Sequence, residues 1–140
     1  MPKAIYLNLM VNDLDKTQEF FRSLGLGFDD SFSDEQAVAL VIADNFYAML
    51  HTSQSIARFS KKTFIANRKQ SEVLISMQLD SREQVDQLME KALKAGATEH
   101  REAEDHGFMF IRCFEDLDGH IWEPFWMGDD EDEEQDEEGS

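Results

Sequence analysis

Glu115-Asp116-Leu117-Asp118-Gly119-His120-Ile121-Trp122-Glu123-Pro124-Phe125-Trp126, near the end of a chain of 140 residues, carries the densest structural signal in the sequence. Asp118-Gly119 predicts a two-residue hairpin turn, because both central positions of the favoured turn need positive φ, which Gly and Asp tolerate best. A strand then leaves the turn at once. Alternation from Ile121 to Met127 puts Ile121, Glu123, Phe125 and Met127 on one face and Trp122, Pro124 and Trp126 on the other. Glu123 therefore sits among apolar neighbours, where a carboxylate loses water and needs a partner, a metal or a proton.

The start of the chain has the same texture. Ala4 to Val11 alternates, with Ile5, Leu7, Leu9 and Val11 opposed to Tyr6, Asn8 and Met10. Asp13 is a good N-cap for a helix whose stripe is Leu14, Thr17, Phe20, Phe21 and Leu24, ended by Gly25. Phe28–Phe32, Ala37–Ile42 and Phe46–Leu50 read as strands, punctuated by Ser33-Asp34-Glu35 and Asp44-Asn45. Thr52 to Glu72 changes character and holds five of the thirteen Lys/Arg residues, so it reads as a linker with a turn or two of helix. Val73 to Leu79 alternates again. Ser81-Arg82-Glu83-Gln84 has the form of a capping box, followed by the stripe Val85, Leu88, Met89, Ala92 and Leu93 and by Gly96. Phe108 to Phe114 reads as the strand before the last one.

Composition narrows the function classes. The length suits one domain with a real core. The formal charge of −17 is concentrated at the C-terminus: positions 129–138 hold nine acidic residues, and without them thirteen basic against twenty-one acidic residues leave −8. That run predicts a disordered, solubilising tail over 129–140. The rest is still acidic, which argues against nucleic acid and against anionic membranes and suits a small organic ligand, a cationic one included. Cys113 stands alone, the N-terminus enters a strand without a signal-peptide core, and no stretch reaches membrane-spanning length, so a cytoplasmic location is expected.

Laid over each other, the halves repeat: Val11 matches Leu79, Asp13 matches Ser81, Gly25 matches Gly96, and Asp44-Asn45 matches Asp118-Gly119. The expected fold is α+β, two βαβββ repeats forming a curved mixed sheet around a pocket. The domain covers 1–128, with modules at about 3–51 and 72–127 joined by a linker at 52–71. The face opposite the helices gives the lining: Tyr6, Asn8 and Met10, then Leu74, Ser76 and Gln78, then Met49 and Glu123.

Leu9-x-Val11-x-Asp13-Leu14, Phe20-Phe21 and Leu24-Gly25-Leu26, with Asp116-x-Asp118-Gly119-x-x-x-Glu123 at the far end, resemble the vicinal oxygen chelate superfamily. That group includes glyoxalase I, extradiol dioxygenases and bleomycin-resistance proteins. The resemblance implies the glyoxalase/bleomycin-resistance-type fold and a homodimer. It also implies a divalent metal held by one residue from each first and each last strand, here Tyr6, Met49, Leu74 and Glu123. Only Glu123 is an ordinary ligand, so no metal is expected, with Zn, Ni, Mn or Fe as the alternative cofactor.

Two functions follow. The first is a small-molecule binder with a degenerate metal site and Glu123 as polar anchor. The alternative is a lyase or isomerase resembling lactoylglutathione lyase, or an extradiol-type dioxygenase, with a rearranged site including Glu123 and His106. Glu123 and His106 are the candidate catalytic residues; Tyr6, Asn8, Met49, Leu74, Ser76 and Gln78 are the candidate ligand contacts. Each has a plainer reading: Glu123 bonded to Tyr6 or Ser76, His106 in a surface ion pair with Asp105, and the polar groups satisfying one another. Cys113 reads as an inert thiol, and the two tryptophans as packing against a helix or a partner subunit.

Overall fold

The computed structural model describes residues 1–128; the expected acidic tail lies outside them. The chain divides into two compact units, Met1–Glu72 with Leu117–His120, and Val73–Asp116 with Ile121 onward. Each unit is a βαβββ module built on a four-stranded mixed sheet, so the architecture is α+β with two repeat-like halves.

In the first unit, β1 (Ile5–Met10) pairs in parallel with β4 (Phe46–His51), which pairs antiparallel with β3 (Ala37–Ala43), and β3 with β2 (Gly27–Asp29), giving the order β1-β4-β3-β2. The alternation in β1 sends Leu9 inward while Tyr6 and Asn8 stay exposed. Helix α1 (Leu14–Ser23) starts where Asp13 accepts the Lys16 amide, and it buries Thr17, Phe20 and Phe21. β2 is shorter than expected: Asp29 accepts the Ser31 amide and hydroxyl and turns residues 30–32 into a single 3-10 turn, so the strand stops before Phe32. Asp44-Asn45 makes the two-residue turn between β3 and β4, with Asn45 at φ 62°. Helix α2 (Ser53–Ile56) is one turn capped by Thr52 and pinned by the buried Ile56.

The second unit repeats the order: β5 (Leu74–Leu79) runs parallel to β8 (Ile121–Met127), then β7 (Met109–Glu115) and β6 (Thr98–Asp105) follow antiparallel. Helix α3 (Arg82–Lys94) packs on β5, β7 and β8 and buries Val85, Met89 and Ala92. Trp122 and Phe114 are fully buried, and Trp122 Nε1 donates to Asp116 Oδ2 at 2.9 Å. The capping box is displaced by one residue: the Ser81 hydroxyl accepts the Gln84 amide, while the Gln84 side chain accepts the Asp80 amide.

One strand carries no sequence signal, and one expectation, the two-residue hairpin turn, fails. β6 has no alternating pattern because it is an edge strand with polar side chains on both faces, nearly all exposed. The Asp118-Gly119 hairpin is not a two-residue turn: β7 and β8 are joined by the five residues 116–120, and Gly119 has φ 87° while Asp118 does not have positive φ. Asp116 accepts from Trp122, while the side chains of Asp118 and His120 are spent on contacts within the first unit. Asp118 accepts the Asn12 amide at 2.7 Å and the Thr17 hydroxyl at 3.1 Å, and His120 Nε2 lies 2.6 Å from the Met10 carbonyl. A Cβ on Gly119 would stand 2.2 Å from the Asn67 carbonyl oxygen, closer than any side chain permits.

Candidate functional site

The two modules present different chemistry on equivalent strands. In the second unit, β5 and β8 place Ser76 opposite Glu123 in the ladder. Glu123 is the half-buried acid of this face, and both its oxygens are engaged: the Ser76 hydroxyl donates to Oε1 at 3.0 Å and Arg101 Nη2 donates to Oε2 at 2.6 Å. Ser76 was one of the plain partners expected for Glu123; Tyr6, the other, stacks on Tyr47 instead. Arg101 was missed, because the strand that carries it has no readable pattern. It stands opposite the buried Cys113 in the β6–β7 ladder, and the hydrogen bond it donates to Glu123 raises its already high pKa. Glu123 is therefore one half of an ion pair. Burial pushes the Cys113 thiol up, which fits an unreactive core residue.

His106 is exposed and 3.4 Å from Glu104, not paired with Asp105 as its position suggested. Asp105 instead takes a two-pronged contact from Arg82 at 2.7 and 2.9 Å, which holds its carboxyl far below the usual range. Glu104 also lies 3.6 Å from Arg101. The two candidate catalytic residues are thus linked as Glu123–Arg101–Glu104–His106, with two side chains between them rather than in contact. Leu74 and Gln78 are exposed on the same strand as Ser76.

In the first unit, Asn8 and Met49 are ladder partners on β1 and β4, and Tyr6 pairs with Tyr47 one step earlier along the face. The Tyr6 and Tyr47 rings stack at 4.9 Å and 13°, and Phe32 meets Tyr6 edge-on at 6.3 Å. Asn8 reaches His51, whose Nε2 lies 2.7 Å from its Oδ1, while His51 Nδ1 lies 2.8 Å from the Ser55 hydroxyl. Burial, with Arg58 adding to it and Asp34 opposing it, lowers the His51 pKa. No sequence signal joined these residues, since Ser55 lies on the following turn and Asn8 lies 43 residues away.

A family model described as Glyoxalase/Bleomycin resistance protein/Dioxygenase superfamily matches residues 3–123. The chain belongs to that superfamily. Among solved structures, hypothetical protein SA1046 from S. aureus shares 28% identity at a TM-score of 0.76, over 90% of this chain and 95% of that one. A glyoxalase-related enzyme from Fulvimarina pelagi shares 18% identity at a TM-score of 0.75, over 90% and 88%. The fosfomycin resistance protein FosX from Mesorhizobium loti shares 15% at a TM-score of 0.67, over 95% and 98%. The last two likenesses are of fold. No curated protein sequence matches the chain.

The glyoxalase-type metal does not fit the four strand positions. Met49 and Leu74 offer no donor to a hard or borderline cation, the Tyr6 ring is already stacked on Tyr47, and Glu123 is committed to Arg101 and Ser76. Among the described residues no group of three or more His, Cys, Asp or Glu is placed to hold a metal ion. Among them, too, no helix is long and apolar enough to cross a membrane.

Proposed function

We propose that this superfamily member is a cytoplasmic, dimeric small-molecule-binding protein that works without the glyoxalase metal, with Glu123 acting as part of its polar anchor. The observation that carries the reading is the engagement of both Glu123 oxygens, by Arg101 at 2.6 Å and Ser76 at 3.0 Å. A carboxylate so held has little left for a metal, and with Arg101 it forms a pair of zero net charge. Its role becomes to hold the guanidinium in place, and the guanidinium N–H groups do the anchoring. Ser76, Gln78 and Leu74 supply the rest of that face, with Tyr6, Asn8 and Met49 on the face of the other module. An isolated cation gains little from a neutralised carboxylate, so a neutral or dipolar ligand suits the site better than a simple cation.

The metal-dependent alternative, a lyase, isomerase or dioxygenase using Glu123 and His106, would need Arg101 and Glu104 to give way. Elemental analysis of protein purified without chelator separates the two. The binder reading expects substoichiometric Zn, Ni, Mn and Fe and an unchanged melting temperature after chelator treatment; near-stoichiometric metal would overturn it. A thermal-shift screen of glutathione adducts, catechols and antibiotics should then yield at least one compound whose stabilisation is lost in Arg101→Met.

A further inference from the structure

We infer, on the basis of the small-molecule reading above, that the ligand is planar and uncharged with a hydrogen-bond acceptor, and that His51 and Ser55 are positioning residues that aim the Asn8 amide at it. The starting point is the Tyr6 carbonyl. A backbone carbonyl only accepts, and Asn8 Nδ2 lies 3.3 Å from it, so the NH2 end of Asn8 turns that way. The amide oxygen is then the atom 2.7 Å from His51 Nε2. An oxygen of this kind cannot donate, so Nε2 carries the ring proton and Nδ1 is bare. The Ser55 hydroxyl, 2.8 Å away, donates to it.

One carbonyl thus orders three side chains in turn. His51 and Ser55 are each 3% exposed, whereas Asn8 is exposed, so the relay runs outward from the core and ends in an amide. Tyr6 takes one of the two Asn8 N–H bonds, which leaves the other as an oriented donor. Burial and Arg58 hold His51 in the neutral form the relay needs, against the opposing charge of Asp34.

Beside this donor stands an aromatic shelf. Tyr6 is 45% exposed, its ring backed by Tyr47, and Phe32, edge-on to it, is 56% exposed. On β1 and β4 this face carries Tyr6, Asn8, Met10, Tyr47, Met49 and His51, none of them charged. β1 and β4 offer a charged ligand no counter-charge, and Arg58 and Asp34 act on His51 with opposite signs, so a flat neutral ring that stacks suits this face best. The fixed N–H selects a ring that bears a carbonyl or similar acceptor.

The test uses coumarin as the neutral probe, with 2-naphthoate and tryptamine as anionic and cationic controls, titrated into the 15N-labelled full chain. Coumarin should move the Asn8 side-chain amide resonances and neither control should. Tyr6→Ala and Asn8→Ala should each weaken coumarin binding about fivefold. His51→Gln, which keeps a donor toward Asn8, should retain binding, and His51→Phe should lose it by a similar factor. Should His51→Phe not fold, long-range 1H–15N spectra of the unaltered protein decide the relay, with an Nε2–H tautomer expected. An Nδ1–H tautomer, or Asn8 resonances indifferent to coumarin, overturns the inference. Silence at Asn8 while a control moves Ser76 or Gln78 overturns it too, but leaves the binding reading standing; failure of every compound in the thermal-shift screen is what removes that reading.

Discussion

The two modules share an order of elements and differ in what their matching turns and faces do. In the first, Asp44-Asn45 is a two-residue turn that reverses the chain and bonds only through its backbone, the Asn45 carbonyl accepting the Ile5 amide, and the β1–β4 face beside it is aromatic and uncharged. In the second, the matching Asp118-Gly119 sits in a five-residue loop where Asp118 and His120 bond by their side chains within the first unit, and the sheet face carries an ion pair. Duplicated architecture has been kept while the local chemistry has separated. Turn residues that look alike in sequence serve backbone geometry in one copy and side-chain bonding in the other.

The sharpest way to break this comparison is at the turns. Gly119→Val brings a Cβ onto the Asn67 carbonyl at a φ of 87°, and should cost about 3 kcal/mol or more in urea unfolding. Asn45→Ala, at an exposed position with φ 62°, should cost only about 1 kcal/mol. Equal losses would mean that the two turns are equivalent after all. Asp118→Ala removes the acceptor of the Asn12 amide and of the buried Thr17 hydroxyl, and should cost about 2 kcal/mol by the same measurement. A loss below about 0.5 kcal/mol would reduce Asp118 to a turn former like Asp44.

The faces can be compared by the same means. A double-mutant cycle with Arg101→Met and Glu123→Gln should give a coupling of about 1 kcal/mol, since the pair is half-buried and partly screened by water. No measurable coupling would leave Glu123 an open acid and revive the isolated-anchor reading. The smallest effect concerns His51. Its folded pKa lies below the ordinary 6.5, so under acid the unfolded chain takes up the proton first. Stability should therefore fall as pH drops from 6.5 toward the folded value and level off below it. His51→Gln should flatten that slope in thermal melts taken across the range. An unchanged slope would assign it to other groups.

The parts of this molecule that depend on spacing along the chain were readable. β1, β5 and β8 declared themselves by alternation, α1 and α3 by their stripes and their caps Asp13 and Ser81, and the family by the Asp-Gly-to-Glu interval. β6 could not be read, because an edge strand wet on both faces needs no apolar period. Arg101 was lost with it. The His51 relay was invisible for a different reason: its partners come from β1, β4 and α2, and only the β1–β4 ladder makes Asn8 and His51 neighbours.

Sequence alone determined that two capped βαβββ units follow one another and that Glu123 stands between the apolar Ile121 and Phe125 on one face of its strand. Periodicity and capping are local, so they survive without knowledge of the rest. Tertiary structure alone decided that Arg101 neutralises that carboxylate, that Asp118 is a bonding residue rather than a turn residue, and that Asn8 is aimed by a buried histidine. Hydrogen bonds and ion pairs act over about 3 Å, and residues far apart in the chain come that close only once the sheets have formed.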